Sequence, residues 1–312
     1  YDETHASLPE DLGMKKLGIA LGGGGAKGLA HIPFLEALDE LGVKPALIAG
    51  TSIGAVIGAL YASGTPAREI RERIQGLTWS PKEGIADALL KKRVHKWLGM
   101  IDMSFGSGGL LKADKFLETL DEILTAEKFE DLSIPLKIVA ADFWKREQAV
   151  FDTGELIPAI HASMALPGIF RPCVIGSRVF VDGGAVNPVP FDLLFDACDV
   201  TVAVDVSGRR TESADLVPSS AEAVFNTFQI MQHSIVQQKL AIRPPDLYLL
   251  PDIRDIRVLD FHKADEVFQQ AEAEKERMKR DIERLMTEPT PAPAPSPRLG
   301  LLPRIIGWMW GK

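Results

Sequence analysis

A chain of 312 residues is long enough for one large α/β domain or two smaller ones. Its apolar fraction of 46% and charged fraction of 25% are those of an ordinary globular protein, and its net charge of -8 argues against a nucleic-acid-binding protein. The two cysteines, Cys173 and Cys198, are expected to be free thiols, and the sequence shows no Cys/His cluster that would predict a metal site.

No stretch of the chain reaches the roughly 20 apolar residues that a membrane-spanning helix requires. The polar residues 1–14 lack the apolar core of a signal peptide and are assigned as an N-terminal extension. We therefore expect a soluble or peripherally membrane-associated protein, with the cytoplasm favoured as its location.

The first predicted unit is a strand, a glycine loop and a helix. Residues 17–21 are an apolar run, glycines occupy 22–25, and apolar residues then recur at helical spacing up to Gly42. A second apolar run, ALIAG at 46–50, precedes a helix that Ser52 opens. This order is typical of a mostly parallel central sheet with helices on both faces, so the sequence predicts an α/β fold.

Further helices and strands are predicted up to residue 262, and the chain then becomes first highly charged and later proline-rich. Residues 65–130 are predicted to be mainly helical. Further strands are expected within 136–143, 146–154, 174–182, 200–208 and 245–252. The predicted organisation is a catalytic domain at 15–262, a charged amphipathic helix at 263–288, a proline-rich linker at 289–298 and an apolar, aromatic tail at 299–312.

Ser52 lies in the pentapeptide GTSIG, between Gly50 and Gly54, where the second strand meets its helix. A G-x-S-x-G turn at a strand–helix junction is typical of a nucleophile elbow, whose tight turn exposes the serine hydroxyl. The amide of Ile53 lies at the helix start, where free N–H groups can meet negative charge. The alternative is a serine that only caps the helix.

The loop GGGAKG, formed by Gly23, Gly24, Gly25, Ala26, Lys27 and Gly28, fits the G-x-G-x-x-G pattern of a dinucleotide-binding turn. The acidic residue expected about 20 positions later is missing, because 43–50 read VKPALIAG. A phosphate-binding P-loop would need Gly-Lys-Ser/Thr, whereas this loop has Ala-Lys-Gly. We therefore favour an oxyanion hole, in which backbone amides converge on a developing negative oxygen, over a simple tight turn.

A nucleophilic serine requires a base, and none of the six histidines lies in a motif that identifies it as one. Asp182 is the better candidate, because it follows an apolar strand and enters a turn formed by Gly183 and Gly184. The alternative is an aspartate that only shapes this turn.

Three motifs in this order resemble the patatin-like phospholipases of the bacterial branch: GGGAKG at 23–28, GTSIG at 50–54 and DGG at 182–184. The resemblance covers roughly residues 15–210 and includes AIHASMALPGIFRP at 159–172. It is far more specific than any single motif, and it implies the α/β fold that the predicted elements also indicate.

The resemblance implies a Ser-Asp dyad in which Ser52 is the nucleophile and Asp182 the base. It also assigns the oxyanion hole to the amides around Gly24, Gly25 and Ala26. The chain has His161 where many relatives have arginine, which puts any arginine role at that position in doubt. Lys27 either steadies the loop, faces a lipid phosphate or is a solvated lysine.

The function implied by the resemblance is hydrolysis of a phospholipid or another acyl-ester lipid through an acyl-serine, with no cofactor and no metal. Acyl transfer to an alcohol uses the same intermediate and stays open, as do a non-catalytic scaffold that docks on membranes and a nucleotide-binding module. No nucleic-acid partner is expected.

Two segments are candidates for lipid contact. Residues 99–111, GMIDMSFGSGGLL, are either a mobile cover of the site or a surface loop. The tail at 299–312 carries Trp308 and Trp310 beside basic residues, which suits a membrane interface. Its alternatives are packing within the protein, packing across a homodimer, or disorder.

Overall fold

A computed structural model of the chain describes residues 15–77, 114–208 and 220–288. The predicted extension at 1–14, the candidate cover at 99–111, the linker at 289–298 and the tail at 299–312 lie outside the described residues. In the part of the chain that is described, no helix is both long and apolar enough to cross a membrane.

One eight-stranded sheet forms the centre of the described structure, with the strand order β5-β6-β3-β2-β1-β7-β8 and with β4 paired to β3. The neighbours among β1, β2, β3, β7 and β8 are parallel, whereas β4 and β6 run antiparallel to β3. The strands are β1 (Leu17–Leu21), β2 (Leu47–Thr51), β3 (Leu136–Asp142), β4 (Glu147–Phe151), β5 (Cys173–Ile175), β6 (Arg178–Asp182), β7 (Val200–Val204) and β8 (Leu247–Leu249).

Helices cover both faces of this sheet, which confirms the predicted fold class. Helix α1 ends where Gly42 adopts φ 64°, a left-handed conformation that glycine accommodates without strain. The helices are α1 (His31–Leu41), α2 (Ile53–Ala62), α3 (Ala67–Leu77), α4 (Asp114–Ile123), α5 (Leu156–Met164), α6 (Ser220–Ile242) and α7 (Ala264–Thr287).

The two faces of the sheet have cores of different size. Leu17, Ile19 and Leu21 of β1 belong to the larger core, which also contains buried residues of α1, α2 and α7. Ala20, between them, belongs to a smaller core together with Val236 of α6. Every residue of β1 is buried because a parallel sheet is covered on both sides.

Helix α7 packs against α1 and contributes its apolar stripe to the larger core. Val267, Ala271, Met278 and Ile282 are fully buried there. At the edge of the contact, the ammonium group of Lys275 lies 2.7 Å from a carboxylate oxygen of Glu40 on α1. The charged C-terminal helix therefore shares its core with the sheet.

Two strands meet end to end along one edge of β3. Thr51, the last residue of β2, pairs with Val139, and Asp182, the last residue of β6, pairs with Ala140. Because β4 occupies the other edge of β3, β2 and β6 must lie on the same side. The strand β2 is parallel to β3 and β6 is antiparallel, so their carboxyl ends face each other. This arrangement brings two distant motifs together.

Candidate active site

The turn between β2 and α2 holds Ser52 in an unusual backbone conformation, with φ 55° and ψ -125°. Such a positive φ is strained for a residue with a side chain and persists only where its surroundings enforce it. A Cβ atom at Gly50 would lie 2.7 Å from the Ala55 Cα, and one at Gly54 would lie 2.1 Å from the Leu21 carbonyl oxygen. The two flanking glycines are therefore required by the close approach of backbone.

The Ser52 hydroxyl donates a hydrogen bond to Oδ2 of Asp182, with an Oγ–Oδ2 distance of 2.6 Å. The other carboxylate oxygen, Oδ1, accepts the Gly184 amide hydrogen at 2.7 Å. A serine hydroxyl has a single hydrogen to donate, and here a carboxylate rather than an imidazole accepts it. The structure thus brings together the two residues that sequence analysis singled out 130 positions apart.

Burial raises the pKa of Asp182 to about 6, although the hydrogen bonds from Ser52 and Gly184 act in the opposite direction. Desolvation disfavours the charged form of a carboxylic acid, which is why the shift is upward. At neutral pH the group is mainly ionised, yet it is more basic than an ordinary aspartate. Both properties suit a general base.

Ser163 on α5 fixes the backbone of the elbow. Its buried hydroxyl accepts the Ser52 amide hydrogen at 2.8 Å and donates its own hydrogen to the Val139 carbonyl at 2.6 Å. The sequence predicts no role for Ser163, because a serine inside a helix carries no motif. His161 lies on the same helix, two residues earlier.

Asn187 connects the elbow to the segment that follows Asp182. The Thr51 hydroxyl donates to the Asn187 carbonyl at 2.8 Å, and the Asn187 amide hydrogen is donated to the Gly183 carbonyl at 2.9 Å. The Asn187 side chain is held in turn by Asp192 and by the ammonium group of Lys239 on α6. The sequence carries no motif that predicts a function for this residue either.

The glycine loop passes directly beside Ser52. A Cβ atom at Gly23 would lie 3.3 Å from the Ser52 Cβ. Gly25 has φ 58°, and a Cβ atom there would lie 2.4 Å from the Val258 carbonyl oxygen. The loop therefore needs glycine for its conformation and for its close packing against neighbouring backbone.

The structure differs from the sequence-based expectation at Ala26. The Ala26 amide donates to the Val258 carbonyl at 2.9 Å, so it does not point freely toward an oxyanion. The amides of Gly22 and Gly23 also donate to carbonyl groups. Within the described part of this loop, the amides without such a backbone acceptor belong to Gly24 and Gly25.

Ile53, the first residue of α2, supplies a third candidate donor. The amides of the first helical turn have no acceptor within their own helix, because the carbonyls that would serve them lie outside it. A Cβ atom at Gly28 would lie 2.1 Å from the Ile53 Cγ2, so the loop and the start of α2 are in close contact. The helix dipole adds partial positive charge at this point.

Lys27 and His31 both hold the glycine loop in place. The Lys27 ammonium group donates to the Ser207 carbonyl at 2.8 Å, and burial lowers the Lys27 pKa. The Nε2 atom of the buried His31 lies 2.7 Å from the Gly22 carbonyl oxygen. Burial also lowers the pKa of His31 to about 4, so it is neutral at pH 7 and donates from Nε2. These contacts support the loop-steadying interpretation of Lys27.

Across residues 15–77, 114–208 and 220–288, no three side chains of His, Cys, Asp or Glu are grouped so that they could hold a metal ion. Cys173 and Cys198 are both free thiols, as the sequence predicts.

Residues 19–195, more than half of the chain, match the sequence model of one family, described as Patatin-like phospholipase. The chain belongs to the patatin-like phospholipase family. The matched range contains the glycine loop, the elbow and the DGG turn, so the resemblance predicted from these motifs is confirmed.

Two curated relatives match this chain over part of their own length. An uncharacterised NTE family protein of Mycobacterium tuberculosis is 34% identical over 201 residues, which cover 64% of this chain and 51% of the relative. The patatin-like phospholipase domain-containing protein 7 of Mus musculus is 28% identical over 276 residues, covering 80% of this chain and 20% of the relative. The chain thus spans about half or less of the length of these relatives.

Two bacterial proteins of known structure are similar to this chain over part of their own length. VipD from Legionella pneumophila gives a TM-score of 0.48 at 12% sequence identity, covering 86% of this chain and 67% of VipD. Full-length ExoU from Pseudomonas aeruginosa, solved in complex with SpcU, gives a TM-score of 0.41 at 16% identity, covering 88% of this chain and 53% of that chain.

Proposed function

We propose that this chain is a serine-dependent lipid acyl hydrolase, of the phospholipase A or lysophospholipase type, that uses Ser52 as nucleophile and Asp182 as general base. The single observation that carries the proposal is the hydrogen bond of 2.6 Å between the Ser52 hydroxyl and the Asp182 carboxylate. It forms at a strained strand–helix turn beside a glycine loop, as a nucleophile elbow requires.

In the first half of the reaction, Ser52 Oγ attacks the carbonyl carbon of the acyl ester while Asp182 takes the hydroxyl proton. The tetrahedral intermediate collapses by breaking the bond to the alcohol oxygen, and Asp182 returns the proton to that oxygen. The products are a free alcohol, such as a lysophospholipid, and an acyl group bound to Ser52. In deacylation, Asp182 takes a proton from water as the water oxygen attacks the acyl carbon. The bond to Ser52 Oγ then breaks, Asp182 returns the proton to Oγ, and the fatty acid leaves.

The negative oxygen of each tetrahedral intermediate needs hydrogen-bond donors in fixed positions. We assign these to the amides of Gly24, Gly25 and Ile53, and we leave out Ala26 because its amide already donates to Val258. Backbone amides supply the charge stabilisation in this scheme, and all of its groups belong to the chain itself. Acyl transfer differs only in that an alcohol replaces water in the second half.

The substrate class follows from the family and is a phospholipid or another acyl-ester lipid. Contact of the tail at 299–312 with a membrane surface remains a prediction, as does a homodimer, because neither is tested by the described residues. Truncation after Glu288, followed by vesicle co-sedimentation and sizing, separates these two roles of the tail.

The proposal is tested by labelling the protein with a fluorophosphonate and mapping the modified residue. Label is expected on Ser52 alone, and Ser52→Ala is expected to lower ester hydrolysis by about three orders of magnitude or more. Ser63→Ala is the matched control, since Ser63 caps the other end of the same helix and should keep both label and activity. Hydrolysis at the wild-type rate by folded Ser52→Ala would show that another group is the nucleophile.

A further inference from the structure

The turn that joins β3 to β4 exposes two large aromatic side chains. Phe143 is 49% and Trp144 is 74% exposed, and their rings contact each other edge to face with centroids 4.9 Å apart. A tryptophan is rarely left this open to water, because its ring carries a large apolar area. Neither residue takes part in the dyad or the glycine loop.

Asp142 holds this turn in a fixed conformation. Its carboxylate accepts the Lys145 amide hydrogen at 3.0 Å and the Nε hydrogen of Arg178 at 2.7 Å. Its carbonyl accepts the Arg146 amide hydrogen at 2.8 Å. The aromatic pair is therefore presented on an ordered backbone, so that binding a partner costs little conformational entropy.

The apolar surface continues from the turn onto the neighbouring strands. The Phe143 amide donates to the Val179 carbonyl of β6 at 2.9 Å, and Val179 pairs with the exposed Val174 of β5. Residues directly opposite each other in antiparallel strands point to the same face of a sheet. Phe143, Val179 and Val174 thus form one row of apolar side chains.

Cations accompany these apolar side chains. Lys145 and Arg146 are exposed in the turn, and Arg178 lies beside it with its guanidinium on Asp142. The acidic groups here are Asp142 and Glu147, the latter 3.4 Å from the Lys145 ammonium group. Three cations and two anions leave a charge of +1 at this turn, on a chain whose net charge is -8. The turn therefore favours an anionic partner.

The turn projects from the same edge of the sheet as the nucleophile. Val139 of β3 pairs with Thr51, the residue before Ser52. Phe143 lies four residues further along the chain, which corresponds to about 13 Å at the usual rise of a strand. Phe143 and Trp144 thus lie beyond the carboxyl end of β2, the strand end that Ser52 follows.

We propose that Phe143, Trp144, Lys145 and Arg146, together with Val174, form an interfacial docking surface for an anionic lipid bilayer. This inference rests on the proposed function, since a lipid acyl hydrolase must reach substrate within a bilayer. Tryptophan prefers the boundary between headgroups and acyl chains, and nearby lysine and arginine are attracted to anionic headgroups. The surface would orient the carboxyl edge of the sheet toward the membrane.

The test measures binding of the full chain to vesicles of phosphatidylglycerol and phosphatidylcholine by co-sedimentation. All proteins carry Ser52→Ala, so that hydrolysis does not alter the vesicles. The added Phe143→Ser/Trp144→Ser substitutions should weaken binding at least about tenfold. Ile242→Ser is the matched control, because Ile242 is 84% exposed at the end of α6. The strand that follows, β8, lies at the other end of the strand order from β5. It should leave binding unchanged.

A second pair of substitutions tests the charge. Lys145→Gln/Arg146→Asn should weaken binding to the anionic vesicles, by about fivefold for each cation, and should leave binding to pure phosphatidylcholine unchanged. Asparagine is chosen at position 146 because Arg146 has φ 58°, a conformation that asparagine tolerates. Added salt should reduce the difference between the proteins.

Activity measured with Ser52 intact separates the docking surface from the dyad. Phe143→Ser/Trp144→Ser should hydrolyse a short soluble ester at the wild-type rate and vesicle lipid more slowly. Equal losses on both substrates, unchanged vesicle binding by the double variant, or no vesicle binding by the parent protein would each overturn the inference. Trp144→Ser alone serves if the double variant unfolds. If no protein hydrolyses any ester, the proposed function fails, while the binding measurements still decide the docking surface.

Discussion

Two aspartates at neighbouring strand ends are equally buried, yet their pKa values are shifted in opposite directions. Asp142 of β3 and Asp182 of β6 are each 2% exposed. Asp182 pairs with Ala140, two residues before Asp142, so the aspartates are diagonal neighbours on one face of the sheet. The Lys145 amide and the Arg178 guanidinium hold the pKa of Asp142 below its usual range, whereas burial raises that of Asp182 to about 6.

The difference shows that the partners of a buried carboxylate determine what it can do. Asp142 is bonded to a cation and to a turn amide, and such a carboxylate is a weak base. Asp182 accepts hydrogen bonds from a neutral hydroxyl and a neutral amide, so its negative charge stays available for a proton. Three substitutions or titrations test this contrast.

The largest effect is expected from Asp182→Asn, which should lower kcat/KM on a p-nitrophenyl ester by about a thousandfold or more. The same change should raise the free energy of unfolding at pH 7. The Asp182 pKa moves from 3.8 to about 6, so stability present below pH 4 is lost as the pH rises through about 6. This loss of stability amounts to about 3 kcal/mol, and asparagine avoids it because its side chain does not ionise.

Urea unfolding at pH 4 and pH 7 checks the stability part of this prediction. The variant should gain stability relative to the wild type at pH 7 and little or none at pH 4. An active Asp182→Asn enzyme would remove Asp182 from the mechanism. An inactive variant that is less stable at pH 7 would instead indicate a structural role.

The second expected effect is on the pH profile of the wild-type enzyme. Since the base must be ionised to accept the serine proton, kcat/KM on a soluble ester should fall about tenfold per pH unit below the Asp182 pKa of about 6. Rates from pH 4.5 to 8 give the apparent pKa of the free enzyme. An inflection near 4 would mean that Asp182 behaves as an ordinary aspartate.

The smallest effect on activity is expected from Asp142→Asn, which should retain kcat/KM within about threefold because the Asp142 carboxylate is bonded to Lys145 and Arg178. It should lower the melting temperature at pH 7, since the ionised carboxylate is bonded to Arg178 and Lys145. The pKa of Asp142 is lowered, so this stability is present above the ordinary value and is lost as the pH falls through the lowered one. A thousandfold loss of activity in Asp142→Asn would show that the two aspartates do not differ in this way.

Local patterns in the sequence were sufficient for the order of elements and for the motifs. The apolar runs at 17–21 and 46–50, the glycines of the loop and the pentapeptide around Ser52 predicted the α/β fold and the elbow. These signals lie within a few residues of one another, and glycine is required locally where backbone approaches backbone. The division of the chain into domain, helix, linker and tail remains a prediction.

Tertiary structure decided the features that depend on distant segments. The donation of the Ala26 amide to Val258, the support of Ser52 by Ser163 and the burial of His31 against Gly22 involve residues that no motif connects. The contrast between Asp142 and Asp182 likewise arises from which groups the folded chain places around each carboxylate. A pKa depends on solvation and on neighbouring charge, and a single sequence gives neither until the chain has folded.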